Sequence, residues 1–157
     1  MKLSCCLSVI FSLYCNAALA DYDHGMRYVF VASAAAKSVA IIDLHDQRLA
    51  DTIGLRQVPG SIAASDRLDT LVIAYPETRQ LGFMDLSSST LDQRYYSLGL
   101  TPDSIKLDPA GEKLAVYDQG TAVLEIHHLQ RRELMVRIEH VNSSEPFTFN
   151  RDGQSLF

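Results

Sequence analysis

The chain has 157 residues, with 14 Lys and Arg against 19 Asp and Glu and a formal charge of −5. An acidic chain without basic clusters excludes nucleic acid as its partner, because phosphate binding needs grouped Lys and Arg. All three cysteines, Cys5, Cys6 and Cys15, lie near the N-terminus, so the rest of the chain has no disulfide, thiolate metal site, thioether-linked haem or cysteine nucleophile.

Residues 1–20 read as an export signal peptide. Lys2 is a short basic region, Leu7 to Leu13 form an apolar core, and Ala18, Leu19 and Ala20 make an A-x-A cleavage site. The apolar run is short and broken by polar residues, which argues against a membrane anchor, and the residues before Cys15 are not those of a lipid-attachment site. Cleavage between Ala20 and Asp21 is expected, leaving 21–157 in the periplasm or secreted, without a membrane span. The loss of Lys2 makes that chain one charge unit more negative.

Next come short apolar runs rich in β-branched and aromatic residues, divided by turn signals. The pattern repeats. Ile42-Asp43-Leu44 recurs as Met84-Asp85-Leu86, and at the same 42-residue step the third copy has Ile126-His127-His128, with His127 in the place of the Asp. On this alignment Ala32, Ala74 and Val116 match in the strand before. Pro59-Gly60-Ser61-Ile62 recurs as Pro102-Asp103-Ser104-Ile105 after 43 residues, and Pro146 opens a further copy.

A period of about 40–45 residues is that of a four-stranded propeller blade. The sequence therefore predicts an all-β fold, a β-propeller of four-stranded antiparallel blades with about three blades present. These span approximately 28–55, 59–99 and 102–139, and the next starts at 146–157. The first copy opens on its second strand, so its inner strand is expected from elsewhere. Closed propellers need about four to eight blades, so 21–157 reads as a piece of a larger ring whose open faces favour self-association. The turn at 108–112 is the clearest, Arg151-Asp152-Gly153 is its counterpart, and 66–69 is a degenerate version. No long amphipathic helix pattern supports an α/β alternative.

The run YVFVASAAAKSVAIIDLHDQRLADTIGL, followed by Pro59 and later by LDPAGEKLAVYD, resembles the YVTN-type repeat of exported bacterial seven-bladed propellers. The same superfamily is similar to the WD40-like propeller of cytochrome cd1 nitrite reductase and to the heavy chain of quinoprotein amine dehydrogenases. The resemblance covers 28–157 and implies a truncated seven-bladed ring. Fold alone does not assign function.

In propellers of this kind one end carries the loops between second and third strands, here 34–37, 75–79 and 118–120, and those between blades, here 55–58, 99–101 and 141–145. Arg56, Tyr75, Arg79, Asp118 and His140 are the polar residues placed to line a ligand or cofactor cleft there. His140 is the best histidine for an axial ligand. His127 and His128 are adjacent on a strand and point to opposite faces, so they cannot share one ion. His24 beside Asp21 and Asp23 is a weaker terminal possibility. No nucleophile elbow or other catalytic set is present, and Asn142-Ser143-Ser144 is a short glycosylation-type match. The functional expectation is an exported binding or scaffold module facing a protein or cofactor partner, not an enzyme. The alternatives are a cofactor-bearing or cofactor-maturation propeller related to haem d1 or quinoprotein systems, and a periplasmic metal carrier.

Overall fold

The structure, a computed structural model, describes residues 17–19, 27–88, 90–141 and 147–156. Three antiparallel sheets stand in it, each a simple meander. The first runs β1 (Ala17–Leu19), β2 (Tyr28–Ser33), β3 (Ser38–Asp43) and β4 (Arg48–Gly54). The second runs β5 (Ile62–Ser65), β6 (Thr70–Tyr75), β7 (Gln80–Asp85) and β8 (Gln93–Ser97), and the third β9 (Ser104–Leu107), β10 (Lys113–Asp118), β11 (Val123–His128) and β12 (Glu133–Ile138). The chain is an all-β partial β-propeller with about three blades, as the repeat predicts.

The second strands explain why the blades stack. β6 is a continuous apolar run, and its residues from Leu71 to Tyr75 are completely buried. Side chains alternate across a strand: Leu71, Ile73 and Tyr75 pack with Phe30, Val39 and Met84 against the first blade. Val72 and Ala74 pack with Phe83, Ile105 and Val116 against the third. Polar stitches fix the blades' offset. Ser61 Oγ accepts the Ile105 amide at 3.2 Å, and Ser65 Oγ donates to the Gly111 carbonyl at 3.1 Å.

Past the third blade, Phe147 packs on Tyr117 and Leu124. Phe149 and Leu156 bridge as Leu107 and Leu114 do. Asn150 Oδ1 accepts the Gln154 and Ser155 amides, as Asp108 Oδ1 accepts those of Glu112 and Lys113. The turn at Arg151-Asp152-Gly153 thus has the geometry of its counterpart. Pro146 lies outside the described residues.

Two expectations need correction. The inner strand of the first blade is not missing: Ala17–Leu19 pairs antiparallel with Val29 to Val31. Those residues belong to the predicted signal peptide, so β1 exists only in a chain that keeps them. The second correction is one of register. Leu44, Leu86 and Leu129 donate equivalent amide bonds to the carbonyls of Arg27, Asp69 and Glu112, which makes His128, not His127, the third counterpart of Asp43 and Asp85. The chemistry agrees. Asp43 Oδ1 caps the amides of His45 and Asp46, Asp85 that of Ser87, and His128 Nδ1 that of Arg131 at 3.4 Å. A shift of one residue turns a strand side chain to the other face. His127 therefore takes the place of Met84 and is buried against the second blade.

Candidate functional site

The two loop sets do meet at one end. Leu55, Leu98 and Val141 donate to the carbonyls of Lys37, Arg79 and Ala122, joining each inter-blade connection to the turn of the blade it leaves. Lys37, Arg79 and Ala122 all have positive φ, between 46 and 55°. In the second blade Pro76–Thr78 forms a 3-10 turn closed by the Arg79 amide on the Pro76 carbonyl. The Thr78 hydroxyl donates to Gln57 Oε1, and Gln57 Nε2 donates to Gln80 Oε1 at 3.0 Å. This chain holds the connection bearing Arg56 onto the turn bearing Arg79.

Of the five residues predicted to line this end, Arg56, Arg79 and His140 are exposed and Tyr75 and Asp118 are not. Asp118 is consumed by the fold. Its Oδ1 accepts the Thr121 amide at 3.0 Å and its Oδ2 the Thr101 amide at 2.9 Å, linking the β10–β11 turn to the connection before β9. Burial alone would raise its carboxyl. The amides of Thr101, Thr121 and Gly120 and the Thr121 hydroxyl outweigh that and hold it below the ordinary carboxylate range.

Tyr75 is a core residue. Its ring crosses Gly82, where an added Cβ would meet Tyr75 Cε2 at 2.8 Å and Gln93 Nε2 at 2.9 Å. Its hydroxyl accepts from Gln93 Nε2 at 2.7 Å, and Gln93 Oε1 accepts from the exposed Tyr95 hydroxyl at 2.8 Å. Burial pushes the Tyr75 hydroxyl up to about 12. Tyr75 ends a strand in the sequence, but its side chain runs back between blades, so it cannot line a cleft. His140 follows β12 with φ 61°, beside Val141, whose carbonyl accepts the Tyr117 hydroxyl at 2.8 Å.

The structure also assembles a group that the shifted alignment hid. Glu125 and His127, two apart on β11, face the second blade. Glu125 Oε1 accepts Arg137 Nη1 at 2.7 Å, and Tyr96 meets the His127 ring edge-on at 6.3 Å between centroids. The alternation in Val123–His128 is the signal that could have found it. His128 points the other way, as adjacent strand residues must. Among the described residues, no group of three or more His, Cys, Asp or Glu is placed to hold a metal ion, and no helix is long and apolar enough to cross a membrane. His24 with Asp21 and Asp23, and Asn142 to Ser144, lie outside the described residues.

Neither protein-family comparison nor comparison with curated proteins finds a match. Solved structures do match in fold. Kuenenia stuttgartiensis hydrazine synthase superposes with a TM-score of 0.72 at 18% identity, over 96% of this chain and 43% of that one. The Cps50 (Swd1) β-propeller domain of Myceliophteria thermophila gives 0.66 at 18% identity, over 90% of this chain and 47% of that one. Dihydro-heme d1 dehydrogenase NirN, in complex with DHE, gives 0.61 at 15% identity, over 79% and 28%. The chain thus spans less than half the length of each, and the fold it shares with them is that of a β-propeller.

Proposed function

We propose that this chain is part of an exported β-propeller of YVTN type that presents its loop end to a protein or cofactor partner. The observation that carries this reading is the division of labour at that end: Asp118 and Tyr75 build the turns and core, while Lys37, Arg56, Arg79 and His140 remain exposed on loops braced to one another. Exposed polar groups on a rigid scaffold are the usual form of a binding surface. Export rests on the signal-peptide pattern.

A second reading, a cofactor-bearing or cofactor-maturation propeller, is favoured by the cations among those residues. Guanidinium forks pair well with carboxylates and phosphates, which suits an anionic cofactor held without covalent attachment. One experiment separates the two. The full-length protein, purified from the exported fraction, is examined for a visible absorption band and for co-purifying protein. A bound chromophore lost in Arg56→Ala and Arg79→Ala selects the cofactor reading, and a protein partner lost in the same variants selects the binding module. Partner or chromophore retained by the double variant would refute this loop end as the site.

A further inference from the structure

β12 closes the third sheet, with β11 on one side and no strand on the other among the described residues. The fourth strand of a propeller blade lies on the circumference, so this edge stays outside whichever blades complete the ring. All six residues of β12 are exposed, and Leu134, Met135, Val136 and Ile138 are each 45–50% exposed. The matching outer strands are more polar: β4 carries Arg48, Asp51 and Thr52, and β8 carries Gln93 and Arg94. Charge on an edge strand normally deters pairing through its open N–H and C=O groups. In β12 that deterrent is missing from the centre.

The charges that flank the centre choose the partner. Arg131 and Arg132 precede the strand and Glu139 follows it, with Glu133 and Arg137 inside. Set antiparallel, two copies bring the Arg end of one to the Glu end of the other and apolar centre to apolar centre. A parallel arrangement would set like charge on like. We propose that β12 is the edge through which two copies of this chain join antiparallel into one sheet across their rims. This interface is separate from the loop end and does not depend on its ligand.

The test uses the full chain with Cys5, Cys6 and Cys15 changed to Ser and a single Met135→Cys or Ala50→Cys added, the latter marking the equivalent position of β4. Mild oxidation should trap a disulfide-linked dimer from Met135→Cys and none from Ala50→Cys. Sedimentation should show association weakened roughly two- to tenfold by Glu139→Arg, as expected for like charges across paired strands, and recovered when Arg131→Glu is added. Circular dichroism establishes that each variant is folded. Equal cross-linking at both sites, or association indifferent to Glu139→Arg, overturns the proposal. So does a monomer in which Val136 and Ile138 are protected from hydrogen exchange by a following blade, which would make their exposure a blade contact.

Discussion

Glu125 and His127 share a 2.9 Å hydrogen bond inside the interface between the second and third blades, with 6% of each side chain exposed. Arg137, itself half-exposed, holds the other carboxylate oxygen. The corresponding positions of the second blade are Gly82 and Met84, so the third blade buries charge where its neighbour buries apolar surface. Among the described residues, His127 Nδ1 is buried with no hydrogen-bond partner.

Removing one member of this group should cost more than removing two. Glu125→Ala leaves the buried imidazole and the guanidinium without their carboxylate, and a broken buried pair costs about 3–5 kcal/mol. Glu125→Leu combined with His127→Met replaces the pair by apolar volume and should lie much closer to the parent. Urea unfolding of the two variants gives the comparison, and equal losses would show that the pairing carries no weight.

Gly111 should tolerate no side chain. Its φ is 67°, and an added Cβ would lie 2.5 Å from Ser65 Oγ on the neighbouring blade. Gly111→Ala should cost at least about 1 kcal/mol through left-handed strain and the contact. Because Ser65→Ala by itself loses the bond to the Gly111 carbonyl, the contact part is read from a double-mutant cycle, in which Gly111→Ala should cost less in the Ser65→Ala chain than in the parent. Gly99→Ala, with nothing within 4 Å among the described residues, is the control, and thermal melting reads every variant.

Asp118→Asn should destabilise at neutral pH by about 1–3 kcal/mol, because a backbone donor loses its acceptor. The pH dependence has a definite sign. The folded carboxyl is depressed, so its contribution is present above the unfolded value of about 3.9 and is lost as pH falls through the lower folded value. Parent and variant should therefore converge in acid. A constant gap from neutral pH down to full protonation would refute the charge-based account.

Tyr75→Phe should lower stability by about 1 kcal/mol through the lost bond to Gln93 while leaving partner binding intact. Arg79→Ala should do the reverse, since exposed substitutions usually stay within about 0.5 kcal/mol. Binding measured on both variants separates core from surface at this end. A binding defect in Tyr75→Phe with normal stability would restore Tyr75 to the cleft.

Signal cleavage should yield an exported chain beginning at Asp21 by intact mass. That chain lacks Ala17–Leu19 and exposes the inner edge of β2, so hydrogen exchange at Val29 to Val31 should be faster than in the uncleaved chain. An exported product retaining Met1 would reject cleavage.

The repeat was legible in the residues because a blade needs its apolar strands and turn caps at a fixed spacing, whatever surrounds it. The all-β class, the four-strand blades and the Asp turn caps at Asp43 and Asp85 follow from local pattern alone. Which of two adjacent histidines continues that pattern does not, because the step grows from 42 to 43 residues between the second and third blades, and both choices leave an apolar strand. Backbone pairing of Leu129 with Glu112 decides it. The same holds at the loop end. Arg56 and Arg79 could be placed on loops from turn residues, but the burial of Tyr75 depends on Gly82 of the next strand and Gln93 of the one after, and the role of Asp118 on the amide of Thr101. Such partners lie a strand or a connection away, so a spacing rule places the backbone, while neighbouring strands and blades determine what each side chain touches.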